Sequence, residues 1–147
     1  MHSGGVLRAP LRHAFRVLAI IGTMDAEQLV RRSWRALAEG DETVLERIFA
    51  PGARWRAVED GPWNCEGLGQ IASAMKRGGG RAVQGAIEEV SELGAGRVLV
   101  GFRPARAEPG VWPLDHGVRY VVLTFGEGLI TEMKGCATRR AALAYAA

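Results

Sequence analysis

The stretch "RYVVLTFGEGLITEMKGCATRRAAL", residues 119–143, carries two apolar runs on either side of Gly126-Glu127-Gly128, followed by a threonine and a short alanine-rich segment. Gly117 to Phe125 and Leu129 to Cys136 read as strands joined by that turn into a hairpin, because tight hairpin loops need positive φ angles that glycine adopts without steric penalty. Thr138 can cap a short final helix holding Ala141, Ala142 and Leu143. Upstream, Ala82 to Val90 and Arg97 to Arg103 are two further candidate strands, so the C-terminal half reads as a four-stranded antiparallel meander. Residues 104–116 hold Pro104, Pro109, Gly110 and Pro113 and are expected to form an irregular loop.

The first half of the chain is helical by its spacing. Asp25 with Gln28 three residues on resembles a capping box, and Ala26, Leu29, Val30, Ser33, Trp34, Leu37 and Ala38 recur at three-and-four spacing up to Gly40. Asp41 can cap a second helix, with Val44, Leu45, Ile48 and Phe49 as its buried stripe and Pro51-Gly52 as its end. Residues 53 to 58 then alternate, placing Ala53, Trp55 and Ala57 on one face and Arg54, Arg56 and Val58 on the other, as a strand does. Leu68, Ile71, Ala72 and Met75 fit a third helix that the Gly78-Gly79-Gly80 run breaks. The order implies an α+β fold, a curved antiparallel sheet wrapped over helices that leaves an internal cavity.

Composition excludes several functions. The 147 residues suit one domain with its own core. Of the 19 basic residues, Arg8, Arg12 and Arg16 precede residue 24, which leaves the body balanced at sixteen basic against sixteen acidic groups. No basic patch recommends a nucleic-acid partner, and no apolar run is long enough for a membrane span. Cys65 and Cys136 stand far apart without zinc-type spacing, so neither a metal site nor a disulfide framework is expected and a reducing, cytoplasmic setting is. No glycine-rich phosphate loop implies a cofactor. Residues 1–23 have a basic start and a short apolar run, Val17 to Ile21, without a cleavage pattern. They are expected to be a disordered or non-native extension, with Met24 the better start, and 24–147 the folded domain.

Three stretches in this order, "SWRALAEGDETVLERIFAPGARW" (33–55), "CEGLGQIASAM" (65–75) and residues 119–143, together resemble the SnoaL-like branch of the nuclear-transport-factor-2-like superfamily. That superfamily includes ketosteroid isomerases, polyketide cyclases and limonene-epoxide hydrolases. The resemblance implies the cone fold and a homodimer through the outer sheet face, where Arg54, Arg56, Tyr120, Val122 and Thr124 are expected. It does not carry over the ketosteroid isomerase chemistry. The tyrosine's place falls on Ser33, the aspartate base's on Ala57 and the second aspartate's on Val121, so all three groups are missing.

"RWRAVEDGPWNCEG", residues 54–67, concentrates what chemistry remains. If the family's parity holds, Trp55, Ala57 and Glu59 point into the cone from the first strand and Arg119, Val121, Leu123 and Phe125 from a later one. A carboxylate in an apolar cavity is shifted toward neutral-pH acid/base work. Glu59 or Asp60 is the candidate for that role, with His116 as a further proton-transfer residue and Arg103 or Arg119 steadying an anionic or carbonyl group. Trp34, Trp55, Trp63, Trp112 and Val121 complete the expected ligand contacts. Against this, Glu59 and Asp60 precede Gly61-Pro62 and equally suit a solvated turn, and Trp55 equally suits plain core packing. The function expected is binding of a small, partly apolar molecule, with isomerase, cyclase or hydratase-type chemistry open. The alternative is a non-catalytic sensing or dimerisation module, marked by a cone filled with Trp34, Trp55 and Phe125.

Overall fold

The computed structural model describes residues 25–39, 41–79, 85–104 and 117–147. Helix α1 (Ala26–Glu39) begins at a reciprocal capping box: Gln28 N donates to Asp25 Oδ1 at 2.8 Å and Asp25 N to Gln28 Oε1 at 3.2 Å. Its apolar stripe, including Leu29, Val30, Trp34 and Leu37, is buried. Asp41 caps α2 as expected, accepting from Thr43 N at 2.9 Å, but α2 is a single turn (Glu42–Leu45). Ile48 N bonds Leu45 O, and Ile48 O in turn accepts from Ile130 N at 2.9 Å, which pulls Phe49 into strand pairing. Strand β1 (Phe49–Arg56) thus starts four residues earlier than the alternation implied. It keeps Pro51 and Gly52 inside a register shift between Phe49 and Arg54, where proline's missing N–H is tolerated.

Cys65–Glu66 is a short strand, β2, paired antiparallel to β1, an element that no alternation in the sequence marks. Helix α3 (Leu68–Ala74) buries Leu68, Ile71 and Ala72 and runs on into a π turn, Met75–Gly79, at the glycine run. Strands β3 (Gly85–Gly94), β4 (Arg97–Pro104), β5 (Arg119–Gly126) and β6 (Leu129–Cys136) form the expected meander, with β3 displaced toward the C-terminus. The sheet runs β2-β1-β6-β5-β4-β3, and β1 lies parallel to β6, so the sheet is mixed where antiparallel pairing throughout was expected.

Both hairpins close through two-residue loops with positive φ at each central residue: Ala95 (56°) and Gly96 (75°), Glu127 (53°) and Gly128 (83°). This handedness matches the twist of the flanking strands. Ala95 is exposed and holds a left-handed conformation that L-residues with a Cβ disfavour by about 1–2 kcal/mol. Ala95→Asn is therefore expected to raise stability by about 0.5–1 kcal/mol in chemical denaturation; an unchanged or lower midpoint would contradict the turn.

The two faces of the sheet are covered differently. The inner face, with Trp55, Val100, Phe102, Val121, Leu123 and Met133, packs with α1 and α3 into the main core. On the outer face lies α4 (Arg139–Ala146), capped by Thr138 Oγ1 accepting from Ala141 N at 3.0 Å. Ala142 packs there with Leu99, Val122 and Cys136, and Tyr145 packs against this second cluster. The Tyr145 hydroxyl donates to Glu132, which also accepts from Arg54 Nη2 at 3.0 Å. The Arg97 guanidinium and the Lys134 ammonium lie 5.4 and 5.9 Å from the Tyr145 ring centroid. The middle of the face expected to pair two subunits is thus occupied by the chain's own helix.

Candidate functional site

The aromatic residues expected to line the cone pack against one another. Trp34 meets Phe102 edge-on, with centroids 5.4 Å apart at 69°, and Trp55 lies tilted against Trp63 at 6.2 Å and 57°. Trp55, Val121 and Phe125 are buried members of the main cluster. Half-buried Trp63 closes over this corner with the Arg77 guanidinium 5.2 Å above its ring. Residues 54–67 are thereby a packed corner: β1, a bend, and the return through β2.

The expected acid/base group does not enter the interior. Strand β1 ends at Arg56, the chain bends over 58–61, and Glu59 and Asp60 are exposed. The alternation that pointed Glu59 inward stops before reaching it, and the apolar surroundings required of a neutral-pH base are missing. Asp60 accepts from Asn64 Nδ2 at 3.0 Å while Asn64 Oδ1 caps Ala57 N at 2.8 Å, a turn-stabilising arrangement. His116 and Trp112 lie outside the described residues. Arg103 is exposed and donates to Glu88 across β3 and β4 at 3.0 Å. Arg119 is buried, on the same sheet face as Val121, and donates to the Gly117 carbonyl at 3.4 Å. Among the described residues the buried charged side chains are Arg119 and Glu132, and Glu132 belongs to the outer face with Arg54 and Tyr145.

The positions matching the isomerase machinery are chemically quiet. Ser33 is buried with its hydroxyl donating back to Leu29 O at 2.8 Å, and Ala57 and Val121 have no polar side-chain atom. Burial pushes the thiols of Cys65 and Cys136 above the usual cysteine range, which keeps them protonated and unreactive near neutral pH.

A groove of about 390 Å³ opens between α1 and β3, lined by Arg31, Trp34, Arg35 and Ala38 on one side and Gly85, Ala86 and Ile87 on the other. Its volume lies within the range of small-molecule sites. Trp34 is 5 % exposed, and its indole Nε1 meets no acceptor among the described residues. A buried N–H left in that condition destabilises by about 1–3 kcal/mol. Arg31 is held by Glu27 one turn earlier, with Nη2 at 3.0 Å. The sequence reading names Trp34 but misses Arg31 and Arg35, although their spacing of three before and one after Trp34 puts all three on adjoining faces of one helix. Gly85 to Ile87 could not have been found that way, since their approach to α1 is long-range.

A curved six-stranded sheet closed on its inner face by helices is the fold of the nuclear-transport-factor-2-like proteins. The structure is similar to a candidate polyketide cyclase from Sinorhizobium meliloti (18% identity, 73% of this chain and 92% of that one, TM-score 0.56). It is similar also to an NTF2-like protein of unknown function from Cytophaga hutchinsonii (11% identity, 80% and 93%, TM-score 0.58). A de novo designed NTF2 fold protein aligns over 80% of this chain and 89% of its own (16% identity, TM-score 0.54). No protein-family model and no curated protein matches the sequence. At these identities the likeness establishes the fold alone, and a fold does not fix an activity. No helix of the described residues is long and apolar enough to cross a membrane.

Proposed function

We propose that the chain binds a small, partly apolar molecule carrying a hydrogen-bond acceptor in the groove between α1 and β3, and that it works as a binding or sensing module. The observation that carries this reading is Trp34 Nε1, a buried donor without an acceptor among the described residues, in a side chain that lines the groove. An acceptor atom on a ligand would satisfy that donor, and Ala38, Ala86 and Ile87 supply apolar walls for its body. Binding is favoured over turnover because the carboxylates considered for acid/base work, Glu59 and Asp60, are exposed on a bend. The polyketide cyclase neighbour makes polyketide-like aromatics a sensible part of any ligand set.

A thermal-shift screen with aromatic ketones, epoxides, small carboxylates and polyketide-like phenols tests the proposal. A compound at a hundred times its dissociation constant should stabilise the protein by about 2.7 kcal/mol. Trp34→Phe keeps an aromatic ring against Phe102 but deletes the N–H. Its unliganded stability is expected to stay within about 1 kcal/mol of wild type, since loss of ring area is offset by loss of an unsatisfied donor, while stabilisation by the compound falls sharply. No stabilising compound, or full binding by Trp34→Phe, would overturn the reading.

A further inference from the structure

Resting on the groove as the binding site, the charge pattern around it points to a ligand class, and we infer that the occupant is an organic carboxylate with an apolar body. The seven lining residues include two arginines and no acid. Arg31 and Arg35 stand one helical turn apart and so share a face of α1. They are not equivalent. Arg31 donates to Glu27 through Nε at 3.2 Å and Nη2 at 3.0 Å, so its charge is balanced and its side chain held. Arg35 makes no ion pair among the described residues and keeps its guanidinium donors for an incoming group.

The groove is therefore lined by one arginine without an ion pair among the described residues and by the tryptophan whose buried indole N–H has no acceptor there. Carboxylates match the planar guanidinium fork in two parallel hydrogen bonds. The remaining lining, Ala38, Ala86 and Ile87, has no polar side-chain atom, which selects against a bare inorganic anion that must keep its hydration. A neutral acceptor would satisfy Trp34 and leave Arg35 unused, so the charge pattern favours an ionised head group with a hydrocarbon or aromatic tail.

Titration calorimetry of the full chain at pH 7 with octanoate, octanamide and inorganic phosphate as probes decides the matter. Octanoate is expected to bind at least tenfold more tightly than octanamide or phosphate, with an affinity that weakens as salt is raised. Arg35→Gln, at an exposed position and so without effect on folding, should lose that tenfold preference while still binding octanamide as wild type does. Arg32→Gln, on the same helix but outside the groove, should change nothing. Equal binding of octanoate and octanamide, or an unchanged preference in Arg35→Gln, would overturn the carboxylate assignment and leave the groove standing as a site for neutral ligands. Phosphate binding as well as octanoate would overturn it too, by showing that the apolar walls take no part. If no probe binds and Trp34→Phe differs from wild type in no ligand assay, the groove itself fails as a site.

Discussion

Trp55→Ala is expected to remove about 3–5 kcal/mol of folding stability, the range for truncating a large buried aromatic. Trp55 is 2 % exposed near the C-terminal end of β1, flanked by Cys65 of β2 and Met133 of β6. Its indole fills the space under Trp63, so alanine would leave a cavity that the pinned strands on both sides cannot close. Against the roughly 5–15 kcal/mol that holds a domain together, such a loss brings the protein close to unfolding at body temperature. Urea denaturation followed by circular dichroism measures it, and Trp55→Phe, which keeps most of the ring, should lose markedly less. Were Trp55 a ligand platform instead of a core residue, alanine would weaken binding and leave the denaturation midpoint nearly unchanged.

The second large effect concerns the C-terminus. A chain ending at Ala137 lacks α4 and uncovers Leu99 and Val122, both fully buried beneath it. Exposing two such side chains destabilises by about 3–6 kcal/mol, and Glu132 also loses the Tyr145 hydroxyl. The truncated protein is expected to melt far below the full chain and to self-associate through the bared face. Full stability after truncation would show that α4 merely rests on the sheet.

The anchoring of α4 also sets a pH signature for the full chain. Hydrogen bonds from Arg139 hold the Glu89 carboxyl below its ordinary value of 4.5. A depressed carboxylate contributes stability that is present above 4.5 and lost as pH falls through the folded value. At the alkaline end, burial first and the Glu132 hydrogen bond second raise the Tyr145 phenol above 10.0. That contribution is present below 10.0 and disappears as pH rises through the raised value. Tyr145→Phe should remove the alkaline decline, and Glu89→Gln should shallow the acid one.

What was legible in the sequence was local. The Asp25–Gln28 box, the Asp41 and Thr138 caps and the Gly126-Glu127-Gly128 turn each rest on a few adjacent residues, and each forms as read. Errors arose where a partner distant in sequence decided the outcome. Phe49 has helical spacing relative to Leu45, yet its pairing with Ile130 draws it into β1. Glu59 continues an alternation whose strand ends at Arg56, because the chain must bend back to place Cys65 beside Trp55. The apolar residues expected to line the cone, Trp34, Trp55 and Val121, are buried, which the apolar character of their side chains alone implies. Trp34, Trp55 and Phe125 belong to a packed cluster. The groove joins helix residues 31–38 to strand residues 85–87, a contact that no spacing rule encodes.

The central claim is that Trp34 Nε1 is the donor that receives a ligand, and an amide-type nitrogen–proton correlation spectrum reads that atom directly. The chain has four tryptophans, hence four indole signals, and the one missing from Trp34→Phe belongs to Trp34. On titration with octanoate, that signal should move downfield and become protected from solvent exchange, while the Trp55 signal stays in place. If octanoate binds to saturation with the Trp34 signal unmoved, or if the shifts fall on another indole, the groove between α1 and β3 is not where it binds.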